Sequence, residues 1–342
     1  MSPKQARASV RVDFEGETGI DAGGVYREWF VLLNEAIITP ECGIFTCVDA
    51  QNQTYYLNPH SRQAIGEHHL AHCLAAGRLL GRALLEGNVT GFHLSLPLLK
   101  IILGLPVSFA DLEYFDPDVY KNLTWLLEHD DVDMLGLDFT VTEKLPDGSV
   151  RTIELVTGGA QVDVTDANKH EYVDRKLQYM LFESVSEQLF AFLKGLYEVV
   201  PAELLMLFDA EELDYILSGS DEIDVDDWEA HTLTSRNLPL HPAYFNFWKV
   251  VRELSSEQQR RLLQYATGST RVPPGGFSAL TSHDGRLCLF TLRGVPPAMT
   301  WGCLHSHACF NRLDVPMHRE LDAMREAVVA AISNEVVGFT TA

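Results

Sequence analysis

Apolar residues recur at helical spacing through VYREWFVLLNEAI, with Asp21 and Gly23-Gly24 ahead of it as a helix start. Across residues 43–57 the pattern shortens to strand and turn, with Gln51-Asn52 at the turn. Residues 66–87 predict a long helix closed by glycine, and residues 97–104 a short one. Pro117 opens a helix reaching about residue 128, because proline is tolerated in a first turn. Residues 137–141 and 151–155 predict two strands around the turn Pro146-Asp147-Gly148. Residues 165–168 predict a cap before a long helix to about residue 199. Its Leu177, Leu181, Val185, Leu189, Phe192 and Leu196 form one apolar stripe.

The pattern then changes. Ten of residues 209–229 are Asp or Glu, which predicts a solvated acidic helix-and-loop face. DEIDVDDWE lacks the glycine that a calcium-binding loop needs at its sharp turn. The polar, proline-bearing segment TSRNLPLHP (234–242) is the expected interdomain linker. Residues 243–254 and 255–265 predict helices, the second opening on a Ser255/Gln258 capping box. A Pro/Gly turn at 271–276, strands at 287–292 and 299–303, and a helix over 316–333 complete the chain. The first part is thus mainly helical and the second mixed α and β.

Composition narrows the picture. The 342 residues are 46% apolar and 22% charged, as in an ordinary globular protein, and the length suits two domains with sizeable cores. Lys and Arg number 26 against 48 Asp and Glu, a net charge of −22. That charge argues against a nucleic-acid wrapper, which needs a basic face, and against docking on anionic lipid. The most apolar stretch, residues 94–107, is interrupted by Pro97, Lys100, Gly104 and Pro106, so no membrane span is expected. The opening MSPKQARASVRVDFEGE has no apolar secretory core. Six cysteines, at 42, 47, 73, 288, 303 and 309, are too sparse for a disulfide scaffold. Reduced thiols and a cytoplasmic setting are expected, with the nucleus also open.

Neither a GxxxxGK[ST] nor a GxSxG motif occurs, which removes the commonest nucleotide-hydrolysing and esterase readings. Cys303, His305, His307 and Cys309 alternate and would share one face of a strand. At about 3.3 Å per residue the end cysteines would lie about 20 Å apart, too far for one tetrahedral zinc. His68, His69, His72 and Cys73 form i,i+4 pairs, but Glu67 precedes them and the HExxH order fails. One polar helix face accounts for them, and no metal is expected. Cys309, in SHACFNRLDVP, has His305 and His307 close by in sequence to favour a nucleophilic thiolate. A lone cysteine beside phenylalanine is more often a small buried hydrophobe, so spacing alone favours packing over catalysis.

VDFEGETGIDAGGVYREWF, GIFTCVDAQNQTYYLNPHS, GRLLGRALLEG, PLLKIILG, VTGGAQVDVTDANKHEYV, FLKGLYEVVPAELLMLFDAEELDYILSGSDEIDVDDW, LLQYATGSTRVPPGGFSAL and SHACFNRLDVP follow one another in this chain. In that order they resemble the HECT domain, the catalytic module of HECT-type ubiquitin ligases, over nearly the whole length.

The resemblance implies an α+β, bilobed fold. A larger, mainly helical N-lobe would occupy residues 1–234, a hinge 235–242, and a smaller α/β C-lobe 243–342. It implies a thioester with ubiquitin on Cys309, then transfer to a lysine of a protein substrate, with no cofactor. His307 would orient the thiol or ubiquitin's tail, and Phe339 would place that tail across the lobes. Asn311 and Asp314 would help position ubiquitin or substrate, or stabilise the loop. A ubiquitin-conjugating enzyme would dock on about residues 105–225, with Tyr120, Leu123, Leu126, Leu127 and Phe190 as candidate contacts.

The chain also departs from the family's pattern. Ala308 stands where a threonine usually precedes the cysteine, and Pro239 and Pro242 stiffen the hinge segment. The tail ends Thr340-Thr341-Ala342, without the carboxylate side chain of many relatives. These departures keep a second reading open, a catalytically weak HECT-like module that binds a conjugating enzyme.

Overall fold

The computed structural model describes residues 24–50, 53–145, 147–220, 222–269, 271–282 and 286–333. The expectations at Asp21, Gly23, Gln51-Asn52, Pro146 and Phe339 fall outside them. Helices and strands are mixed, as expected for an α+β chain. The chain divides into two compact units that interleave in sequence. One comprises Ala36–Gly81 and Phe92–Asp214, the other Met1–Glu35, Arg82–Gly91 and Tyr215–Ala342.

In the first of these, β1 (Phe45–Asp49) pairs antiparallel with β2 (Thr54–Leu57), which pairs parallel with β3 (His93–Leu94). The expected helix at 66–87 starts as a short turn and runs regularly over His69–Glu86. It lies against the helix Ser186–Val199 with almost no space between the backbones. A Cβ on Gly77 would come within 2.0 Å of the Phe192 carbonyl oxygen, and one on Gly195 within 2.1 Å of that of Leu74.

A separate apolar cluster gathers Leu112, Leu123, Leu126, Phe139, Tyr172 and Leu181. The helices Pro117–Glu128 and Lys169–Leu181 contribute to it, with β4 (Thr140–Lys144) and β5 (Val150–Glu154) paired alongside. The helix at 117 starts as read, and the Asp116 carboxylate accepts from the Val119 amide at 3.0 Å.

The single long helix expected to residue 199 is corrected to two. It ends at Leu181, passes through a 3-10 turn at Glu183–Val185 and restarts at Ser186. The Tyr56 hydroxyl donates to the Leu181 carbonyl at the break. All six residues of the stripe are nevertheless buried. Periodicity located the apolar face and missed a break that a distant tyrosine supports.

The other unit holds a four-stranded sheet in the order β6 (Leu233–Thr234), β7 (Thr291–Val295), β9 (Arg312–Pro316), β8 (His305–His307). β7 runs parallel to β6 and β9, and β8 antiparallel to β9. Helices Pro242–Glu253, Ser256–Thr267 and Leu321–Ser333 supply much of a core centred on Trp228, Phe247, Trp248, Phe277, Phe290 and Leu313. The Ser255/Gln258 capping box is formed.

The start of the expected linker is tied to this sheet. The Ser235 amide donates to the Leu292 carbonyl at 3.0 Å, its hydroxyl accepts from the Gly294 amide at 2.9 Å, and Leu238 is wholly buried. The strand read at 287–292 lies further along, at 291–295. That read at 299–303 is not a strand, because Trp301 and Gly302 take left-handed φ of 52° and 76°. The terminal helix begins at Leu321 rather than 316, because Arg312–Pro316 is needed as a central strand of the sheet.

Candidate active site

The sheet determines where Cys309 sits. β8 brings His305 and His307 up to a 3-10 turn, Ala308–Phe310, with Cys309 at its middle. The chain then reverses at Asn311 and leaves as β9. Asn311 has φ 46° and ψ 40°, a left-handed conformation that asparagine tolerates better than most residues. The alternation of 303, 305, 307 and 309 along one strand is therefore cut short at His307. Among the described residues no group of three or more His, Cys, Asp or Glu is placed to hold a metal.

Four bonds fix the turn through Asn311. Its amide donates to the Ala308 carbonyl at 3.2 Å, and its carbonyl accepts from the Thr291 amide at 2.9 Å. Its Nδ2 donates to the carbonyls of Thr281 at 3.1 Å and Cys288 at 2.6 Å. The residue is 0% exposed. Both side-chain N–H groups go to backbone, which corresponds to the loop-stabilising alternative rather than to a donor for ubiquitin or substrate. Upstream, the Tyr265 hydroxyl donates to the Leu304 carbonyl at 2.9 Å and anchors the approach to β8.

His307 and Asp314 are brought together. Strand pairing sets His307 opposite Arg312 and His305 opposite Asp314, so side chains two apart on β9 share the face of both histidines. His307 Nε2 lies 3.2 Å from Asp314 Oδ2. Arg312 Nε approaches the other carboxylate oxygen at 3.4 Å, and Arg293 Nη1 stands 3.9 Å away on β7. Asp314 is only 8% exposed and stands among three cationic or ionisable partners. A proton on Nε2 would let His307 donate to this carboxylate. Arg293 gave no signal in the sequence, because its place depends on the pairing of β7 with β9.

The docking candidates divide. Leu123 and Leu126 are each 3% exposed and belong to the core, so they are corrected from contact surface to packing. Tyr120 and Leu127 lean partly buried on the same cluster. Trp125 is 46% exposed on the same helix, and Met134 and Leu135 are exposed beyond it. Phe190 is strongly exposed and lines a cleft with Leu70, Leu74 and Lys194. No helix among the described residues is long and apolar enough to cross a membrane.

A cysteine at the middle of a short turn between two strands, with a buried asparagine after it and a histidine–carboxylate pair beside the turn, is compatible with chemistry at a thiol. Comparison with known proteins makes the class specific. Residues 31–342 match the family described as HECT-domain (ubiquitin-transferase), and the chain belongs to that family. It is 35% identical over 335 residues to the E3 ubiquitin-protein ligase TOM1 of Saccharomyces cerevisiae, covering 97% of this chain and 10% of that one. It is 37% identical over 346 residues to the E3 ubiquitin-protein ligase UPL1 of Arabidopsis thaliana, covering 99% of this chain and 9% of the relative. Against the E3 ubiquitin-protein ligase RSP5 of Emericella nidulans it is 36% identical over 340 residues, covering 99% and 40%. The chain thus spans well under half of each of these relatives.

Proposed function

We propose that this chain is the catalytic part of a ubiquitin-protein ligase. The observation that carries the reading is Cys309 at the middle of a turn clamped by Asn311, inside a chain that matches the ubiquitin-transferase family. The Cys309 thiolate attacks the thioester carbonyl of a ubiquitin-loaded conjugating enzyme. A new C–S bond forms and the conjugating enzyme's thiolate leaves. A lysine amine of a protein substrate then attacks the Cys309 thioester, loses a proton as the amide forms, and expels the Cys309 thiolate. Thioester exchange is nearly isoenergetic, so positioning contributes more than a strong base. His307, held by Asp314, orients the thiol or the arriving tail. Phe339 would place the tail.

In this reading residues 1–234 act as N-lobe, 235–242 as hinge and 243–342 as C-lobe. The conjugating enzyme docks on the first of these, where Tyr120, Trp125, Leu127, Met134 and Phe190 leave apolar surface exposed or partly exposed. The setting is cytoplasmic or nuclear.

The test is single-turnover transfer from a panel of ubiquitin-loaded conjugating enzymes, resolved without reductant. The expected product is a ubiquitin adduct that reductant removes and Cys309→Ala abolishes, while Cys309→Ser retains an adduct that reductant leaves intact. A folded chain that binds a conjugating enzyme yet forms no adduct with any of the panel overturns this reading in favour of the binding module.

A further inference from the structure

The thiol of Cys288 is directed at the turn that carries Cys309. Its Sγ lies 3.4 Å from the Phe310 carbonyl oxygen, and its own carbonyl accepts the Asn311 Nδ2 at 2.6 Å. Two residues further on, the Thr291 amide donates to the Asn311 carbonyl. Cys288 is thus fastened to the turn on both sides and remains partly exposed. Consecutive Cα atoms lie about 3.8 Å apart, which puts the Cα of Cys309 within about 10 Å of the Cys288 sulfur. A disulfide needs Cα atoms roughly 4.4–6.8 Å apart, so forming one requires backbone movement of the turn.

The other cysteines are placed less well. Cys303 is exposed, its Sγ lies 3.9 Å from the Trp301 carbonyl, and the strand β8 separates it from Cys309. Cys42, Cys47 and Cys73 belong to the other compact unit.

We propose that Cys288 is a resolving thiol for Cys309, and that peroxide converts the two into a reversible disulfide that protects the transfer cysteine. The inference rests on the reading of Cys309 as a reactive thiol. In the first step the Cys309 thiolate attacks one oxygen of hydrogen peroxide. An S–O bond forms, the O–O bond breaks, and hydroxide leaves to take up a proton as water. In the second step Cys288 sulfur attacks the sulfenic sulfur of Cys309. The S–S bond forms, the S–O bond breaks, and the departing hydroxide takes the Cys288 proton as a second water. Two thiols are oxidised by two electrons and one peroxide is reduced. The bridge removes the sulfur that would accept ubiquitin, and a dithiol reductant restores it. Without a partner thiol, sulfenic acid proceeds to sulfinic acid, which dithiols do not reverse.

The experiment treats the full chain, its Cys288→Ser variant and a Cys303→Ser control with hydrogen peroxide. Nonreducing peptide mapping and intact mass are read first, and thioester formation after dithiothreitol second. The expected result is a peptide linking Cys288 to Cys309 and a loss of about 2 Da, in the unaltered chain and in Cys303→Ser alike. After reduction both regain thioester formation almost fully. Cys288→Ser instead gains oxygen on Cys309 and regains less than about a tenth. Oxygen addition on Cys309 in all three proteins, or a bridge from Cys309 to Cys303, overturns the proposal. Untreated chain that forms no thioester while the Cys288–Cys309 peptide still appears would sink the ligase reading and leave the disulfide standing.

Discussion

The helix pair of one unit and the transfer turn of the other solve the same problem in opposite ways. Each must hold two stretches of backbone close together. The helices His69–Glu86 and Ser186–Val199 do it by omission, with glycine at 77, 81 and 195 so that nothing stands between them. The turn at 308–311 does it by addition, with one buried asparagine reaching the carbonyls of Thr281 and Cys288. A seam made by omission fails when any atom is added. A clamp made by addition fails when one side chain is removed.

The largest expected effect breaks the seam. Gly195→Ala puts a Cβ 2.1 Å from the Leu74 oxygen, 3.0 Å from the Leu74 carbonyl carbon and 3.1 Å from the Arg78 nitrogen. All three are backbone atoms, so no rotamer change relieves the overlap. Overpacking usually costs about 1–3 kcal/mol, and a clash with rigid backbone belongs at or above about 4 kcal/mol. Gly66→Ala is the contrast. Its φ of 78° strains any side chain, but nothing lies within 4 Å, so about 1–2 kcal/mol is expected. Urea unfolding of the two variants measures the difference. Equal midpoints would mean that the helices slide apart at little cost.

Removing the clamp comes next. Asn311→Ala leaves the Thr281 and Cys288 carbonyls without its donor and forces alanine into a left-handed conformation. Together these cost about 2–3 kcal/mol. Asn311→Gly keeps the conformation and loses the bonds, so it should fall between the two in stability while matching Asn311→Ala in lost transfer. A tenfold or greater loss of thioester formation in both variants, at temperatures where both are folded, is the expected reading. Full activity in Asn311→Gly would mean that conformation alone positions Cys309.

How much of this was legible in the sequence follows from the same contrast. Local signals mark an element's start, and Pro117 opens a helix that the structure reproduces, whereas the glycines of the seam enter the sequence reading only through the segment GRLLGRALLEG of the family resemblance. Addition across long loops leaves no local signal. Asn311 reaches residues 30 and 23 positions away, and only the folded sheet says so. The same blindness leaves open, from the sequence, which of the apolar positions at 120–127 are core, and the structure buries Leu123 and Leu126. An amphipathic helix shows which residues are apolar, but not which neighbour covers them. It also explains the helix break at Phe182, where Tyr56 bonds from 125 residues away. Cys309 was found through its motif, whereas Cys288 lay in no motif.

A smaller effect tests whether the histidine belongs to the clamp or to the chemistry. Asp314→Asn keeps the shape at β9 and removes the charge beside His307 Nε2. A loss of about tenfold in thioester formation is expected, about 1.4 kcal/mol in barrier. His307→Gln should lose a similar amount. The double variant should lose much less than the product of the two, because one pair is removed once. A full product would show that the two side chains act separately.

The mildest expected effect transfers the clamp device to the unit that holds the glycine seam. Asp111 is a buried carboxylate that collects donors as Asn311 does, but it uses charge. The Ser108 amide donates to it at 2.7 Å and Lys100 Nζ at 2.6 Å. Burial pushes the Asp111 carboxyl up, and the hydrogen bonds from Lys100 and Ser108 outweigh it, so its pKa lies below the ordinary carboxylate value. A lowered folded-state pKa stabilises the protein above the unfolded carboxylate pKa, about 3.9, and that stabilisation is lost as pH falls through the folded value. Asp111→Asn should therefore be less stable than the unaltered chain by about 1 kcal/mol at neutral pH, with the gap closing below about pH 4. Urea midpoints of both proteins from pH 7 to pH 3 measure it. A gap that persists at the acid end would assign Asp111 a role of shape rather than charge, and would bring its clamp closer in kind to that of Asn311.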